Sequence, residues 1–449
     1  MRTLALLALL SASLPLACKS AEQPGQGTGG DAASSASAGA GQAVGQDPQA
    51  KAGPSEVVDP STLPPPQLGN LGDTASPQCR AVMKRLSELE AIRAATPVPD
   101  AEIAKQVRSI WEDADGGGFS IRAWMVETDA GLGRTPERTD GTDVAMVGQA
   151  LEHMAVADEE STRARTLVDM ITRVRLVAFL EARRLLTAAS DAEPTPKPDE
   201  AREPATLTRQ WDEAWCLWSG AIRPLAASVD ASPRGGEAWE QTIVTAFEEG
   251  RTGIHGLSHD PLVTRPNRQI IEKGTYALVA RMVLERADAR EDVTGPVEAG
   301  MLLNLVEDRL ADRNGPGLAR MRQSFNGEPS QIDAAKVERE LAVAFAKRAR
   351  KYCDKAIKGD ELGTPETIAE TWEGVIYTRV ILPSMAEALA GAGFDADAYL
   401  ADWEDYLAAI EASDAAAATE ISPRLVEWNC AYQDRLGISE CSSTSNEVE

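Results

Sequence analysis

Downstream of residue 76 the apolar positions recur three and four apart between faces rich in Arg and Glu, the period of helices packed on one side. That period predicts helices over 78–94, 101–113, 143–157, 162–188, 207–229, 237–250, 267–289, 297–312, 333–358, 366–390, 397–412 and 422–436. The expectation is therefore an all-α domain over 77–441, built as a multi-helix bundle or as stacked helical bundles. The Pro-rich stretch AEPTPKPDEAREPA and the turns GGGF and GAGF interrupt the pattern, and a division into subdomains would fall near 190–205 or 290–330. VIYTRVILP is the best strand candidate because of its β-branched residues. A faint internal repeat favours helix there instead. LVDMITRVRLVAFLE from Leu167, IIEKGTYALVARMVL from Ile270 and IAETWEGVIYTRVIL from Ile368 align without gaps, 103 and 98 residues apart, each with an acid at its third position.

The N-terminal pattern differs. One cation, Arg2, precedes an apolar run from Leu4 to Leu16, shorter than the roughly 20 residues that span a bilayer, so the run reads as a secretory signal over 1–17. LPLACKS resembles a bacterial lipoprotein signal, with Ala17 before Cys18, although Pro15 and Leu16 stand where Leu and a smaller residue are usual. The resemblance implies cleavage before Cys18, a lipid on that cysteine and an extracytoplasmic, periplasm-facing or surface protein. Lys19 follows where Asp would suggest inner-membrane retention, so the outer membrane is the expected location. Residues 18–76 are mostly Gly, Ala, Ser, Gln, Pro and Asp, too polar to offset their ordering entropy, and are expected to be a disordered tether. A disordered tail is expected over 442–449. The run GQGTGG in the tether matches a dinucleotide fingerprint without the flanking strand and helix that such a site needs.

Charge and cysteines narrow the class. A net charge of -25 opposes binding to nucleic acid, and no later segment is apolar for long enough to cross a bilayer, so lipid is the expected means of membrane attachment. An exported chain can oxidise its cysteines, which makes Cys79, Cys216, Cys353, Cys430 and Cys441 the disulfide candidates. With Cys18 lipidated, five remain and at least one has no intramolecular partner. Cys441 is expected in a bridge, either locally to Cys430 or across the domain to Cys79. No pair has zinc-finger spacing.

Candidate chemistry is sparse. Trp211, Trp215, Trp218, Ile222 and Leu225 form one helical stripe and read as core, with Pro224 expected to kink or end the helix. On a continuous helix Glu248, His255 and His259 would fall within about 40° of one another, which suggests a divalent-metal site for iron, copper or zinc. Gly253-Ile254-His255 resembles the G-x-H-x-x-E motif of imelysins, exported helical bundles linked to iron uptake, with Ser258 at the acidic position. The same wheel gathers Trp239, Ile243, Ala246, Ile254 and Leu257 into an apolar line and turns the three polar groups away from it. DADGGGFSIRAW lacks a calcium loop's closing Glu, since Trp124 stands there. No hydrolase, zincin or P-loop motif occurs. The expectation is a lipid-anchored, extracytoplasmic, non-catalytic binding or structural module without a cofactor. Its expected partners are a membrane and an unidentified protein or small ligand, and a metal-binding bundle is the alternative.

Overall fold

The computed structural model describes residues 71–444 except 96–99, 113–118, 135–142, 158, 193–205, 233–236, 256–257, 290–293 and 360. The expected signal, Cys18 and the tether up to residue 70 lie outside the described residues, as does 445–449. The described residues belong to one compact unit.

Sixteen α-helices lie within the described residues. The first seven are α1 (Pro77–Ala95), α2 (Ala101–Glu112), α3 (Ile121–Gly131), α4 (Asp143–Val156), α5 (Glu160–Ser190), α6 (Thr206–Ala221) and α7 (Arg223–Asp230). Then come α8 (Trp239–Thr252), α9 (Pro261–Asp288), α10 (Gly295–Leu302), α11 (Glu307–Phe325) and α12 (Ala334–Tyr352). The chain closes with α13 (Lys355–Gly359), α14 (Pro365–Ala388), α15 (Ala396–Glu411) and α16 (Ala415–Arg435). VIYTRVILP is helical within α14.

Local chemistry sets the boundaries. Side chains of Ser120, Asp260, Asp333, Thr364, Asp395 and Asp414 accept from backbone N–H groups of the first turn of α3, α9, α12, α14, α15 and α16, caps worth about 1 kcal/mol each. The expected helix 207–229 is two, because Pro224 begins a new first turn and α6 stops at Ala221. The expected 297–312 divides into α10 and α11 across a 3-10 turn at Leu303–Leu305, and α11 runs on through a kink at Asn314 to Phe325. There Asn314 Nδ2 donates to the carbonyl and to Oε2 of Glu340, both at 2.9 Å. α3 has no counterpart in the sequence reading.

The segments that align in the sequence are the spine of the domain. They lie in α5, α9 and α14, and α9 packs against both of the others. α1, α3, α4, α6 and α10 surround α5; α7 and α8 cover α9; α12, α15 and α16 surround α14. α9 is buried along most of its length, so its polar groups need internal partners: Trp218 Nε1 donates to Thr275 Oγ1 at 3.0 Å, and the Tyr276 hydroxyl to Glu272 at 2.8 Å. Trp111, Trp211, Trp218 and Trp403 are fully buried, each removing on the order of 200 Å² from water, or about 5 kcal/mol.

Contacts extend past both expected edges of the helical domain. The N–H and hydroxyl of Thr74 donate to Asp212 at 3.1 and 2.6 Å, and those of Ser76 to Glu213 at 2.6 and 2.7 Å. At the other end Ser442 is buried, its N–H donating to Gln433 Oε1 and its carbonyl accepting from Gln433 Nε2, both at 2.9 Å. The folded part thus begins before residue 77 and reaches beyond 441.

Candidate functional site

The metal reading of Glu248, His255 and His259 depends on a helix that the structure ends at Thr252. Gly253 closes it, and Ile254–His255 then pairs antiparallel with Ser258–His259 as β1 and β2, a two-residue hairpin. Glu248 stays half-buried on α8 and His255 is exposed. His259 is buried, its Nε2 2.7 Å from the Ala192 carbonyl and its Nδ1 2.9 Å from Thr264 Oγ1. A carbonyl only accepts, so Nε2 carries the proton and offers no lone pair to a metal. The proposed ligand set is thereby corrected: among the described residues no three His, Cys, Asp or Glu side chains gather as a metal site.

The cysteines resolve into two bridges. Cys79 of α1 joins Cys216 of α6 with their Cα atoms 6.4 Å apart, and Cys430 of α16 joins Cys441 at 5.0 Å. Cys353 is left as a buried free thiol, which burial pushes up to about 12, and its Sγ donates to the Ala349 carbonyl. Of the two expected partners for Cys441, the local one is found. Trp211, Trp215, Trp218, Ile222 and Leu225 are all buried core, and Trp211 Nε1 donates to the Phe247 carbonyl at 2.9 Å.

Two buried ionic clusters brace the spine. Glu298 of α10 accepts from Arg93 at 2.8 Å and Arg286 at 2.9 Å, with Arg175 at 3.8 Å. Burial alone would raise its carboxyl, but these arginines hold it down to about 2. Glu272 of α9 meets Lys273 at 2.9 Å and Arg309 at 3.1 Å, which overcome burial and keep it below the usual carboxylate range. Lys273 is in turn 3.8 Å from Glu373, which accepts from the Tyr352 hydroxyl at 2.8 Å. These groups answer one another, the pattern of structural ion pairs.

A cleft of about 150 Å³ opens instead between α9, α12 and α14, where Ala277, Ala280 and Ala342 are too small to fill the space between the helices. Trp239, Leu341 and Phe345 give it an apolar wall, and Glu237, Arg281, Glu338, Arg379 and Ser384 supply polar groups. Its walls are tied by charge. Arg379 Nη1 donates to Glu237 at 2.6 Å and Nη2 to Glu404 at 3.4 Å. Arg281 Nη1 donates to the Glu237 carbonyl at 3.3 Å and lies 3.7 Å from Asp230, while its Nε is 3.9 Å from Glu285. Asp230 accepts from the N–H groups of Trp239 and Glu240, capping α8 from the end of α7. The two arginines thus fix the start of α8, and with it Trp239. Burial raises the carboxyls of both Asp230 and Glu237, against their hydrogen bonds and their arginines. A second depression of about 530 Å³ lies between α1 and α2.

Sequence reading did not assemble this cleft, although one signal was present. Arg281 and Arg379 occupy the same twelfth position of the aligned segments from Ile270 and Ile368, and they turn to the same cleft from neighbouring helices. No family model, no curated protein and no solved structure matches this chain.

Proposed function

We infer that this chain is an exported helical binding module, held to a membrane by lipid on Cys18 and carrying out no catalysis. The observation that carries the reading is the cysteine arithmetic. Four of the six cysteines close two bridges, one is a buried thiol, and the remaining one is Cys18 behind a signal-like run. Paired cysteines suit an oxidising compartment, and an unpaired cysteine at the end of a signal suits lipidation. No helix among the described residues is long and apolar enough to cross a membrane, so a lipid on Cys18 would supply the attachment. One acyl chain gives only marginal membrane binding and two give a stable anchor.

Expression of Cys18→Ser beside the parent, followed by detergent phase partitioning, tests the reading. The parent is expected in the detergent phase at a mass corresponding to cleavage before Cys18, and the variant in the aqueous phase or unprocessed. Identical partitioning of the two would remove the anchor.

A further inference from the structure

Arg281 makes fewer hydrogen bonds than its burial demands. Its side chain is mostly buried, and its Nη1 donates to the Glu237 carbonyl at 3.3 Å, but its Nε and Nη2 are buried without a hydrogen bond. These two N–H groups form the side of a guanidinium that takes a carboxylate through two parallel bonds. The chain uses that edge elsewhere. Nε and Nη2 of Arg173 hold Asp169 at 2.9 and 3.1 Å, those of Arg320 hold Glu340 at 2.7 and 2.8 Å, and Arg184 and Arg424 hold Glu181 and Asp402 in the same manner. Among the described residues no other arginine leaves this edge both buried and unmet. A buried donor without an acceptor is costly, and Arg281 lines the cleft between α9, α12 and α14, where Nε of Arg379 is unmet as well.

The acids around this edge set the charge of what it can hold. Glu285 Oε1 stands 3.9 Å from Nε, beyond hydrogen-bond range, Asp230 is 3.7 Å from Nη1, and Glu237 and Glu338 line the cleft. A bare anion on the edge would meet these carboxylates at close range, which is unfavourable. A carboxylate joined to an ammonium carries its own compensation and gives Glu285 a counter-charge. From this geometry we propose that the cleft binds a small apolar α-amino acid, its carboxylate on the Nε and Nη2 edge of Arg281, its ammonium toward Glu285 and its side chain against Trp239, Leu341 and Phe345. The space suits such a side chain, since an apolar cavity of about 150 Å³ takes a group on the scale of benzene.

This inference deepens the binding-module reading and rests on it, but its test is blind to anchoring. Equilibrium dialysis of the full-length protein with labelled L-phenylalanine, in competition with 3-phenylpropionate and phenethylamine, compares one apolar body carrying both charges, the carboxylate alone or the ammonium alone. The expected result is saturable binding of L-phenylalanine with a Kd below about 1 mM, and each competitor weaker by about tenfold or more. Arg281→Lys keeps the positive charge and removes the two-donor edge, and is expected to weaken L-phenylalanine binding by about tenfold or more. If that variant fails to fold, the comparison of the three compounds on the parent decides alone. Equal binding of the three, a preference for 3-phenylpropionate or for phenethylamine, unchanged affinity in a folded Arg281→Lys, or no saturable binding of L-phenylalanine overturns the proposal. The last outcome is what closure of Glu285 onto Nε of Arg281 would produce. Failure here with normal detergent partitioning leaves the anchor standing, and loss of the anchor with L-phenylalanine still bound separates the two in the other direction.

Discussion

Gly250 is a residue whose missing side chain is itself a packing element. A Cβ built there would stand 2.2 Å from Cζ2 of Trp211, and that indole is held by its hydrogen bond to the Phe247 carbonyl. Gly250→Ala would gain about 1 kcal/mol in helix propensity, yet overpacking a rigid indole costs about 1–3 kcal/mol. A lower Tm is expected; a raised Tm would mean that the ring moves freely. Glu298 makes a second prediction, through pH. Its carboxyl ordinarily titrates near 4.5 and in the folded chain near 2, so the stability it contributes is complete above the unfolded value and is lost as pH falls toward the folded one. The shift corresponds to about 3 kcal/mol. Asp230 and Glu237, raised by burial, act in the opposite sense and gain stability on protonation. Urea unfolding of Glu298→Gln should show a loss of about 3–5 kcal/mol at neutral pH, because Arg93 and Arg286 lose their carboxylate, together with a flatter acid limb. An acid limb as steep as that of the parent would contradict this assignment.

At the scale of elements, the long helices are legible in the sequence because burial on one face repeats every three to four residues, and α14 is legible as a helix through its likeness to α5 and α9. The short elements are not. α3 and the β1–β2 hairpin depend on a cap at Ser120 and on the turn after Gly253, with His259 reaching an acceptor 67 residues away. The cleft is assembled from three helices and the start of a fourth, so no local spacing could gather Arg281, Glu338 and Arg379. Of the two bridges, Cys430–Cys441 was legible as a local loop, whereas Cys79–Cys216 depends on the packing of α1 against α6. The two differ in loop size, with separations of 137 and 11 residues. Chain entropy then assigns about 5 kcal/mol to Cys79–Cys216 and about 3 kcal/mol to Cys430–Cys441. The paired serine variants, unfolded in denaturant without reductant, should rank in that order. The reverse order would show that native packing, and not closure of the unfolded chain, sets their worth.

For the whole molecule, composition and contacts together locate the edge of the domain. Gly, Ala, Ser, Pro and Gln dominate residues 19–70, whereas Thr74 and Ser76 are bonded to α6, so limited proteolysis should cut before residue 71 and release a core that retains the Cys79–Cys216 bridge. Faster cutting inside α5 or α9 would displace that boundary. The central claim joins the two ends of the chain: a lipid at Cys18 and an oxidised helical module behind it. Intact mass and non-reducing peptide mapping of protein isolated from its native membrane test both at once. The account predicts a lipid-modified N-terminal Cys18, Cys79 linked to Cys216, Cys430 linked to Cys441 and Cys353 as a free thiol. A chain that still begins at Met1, with its cysteines all reduced, would contradict it.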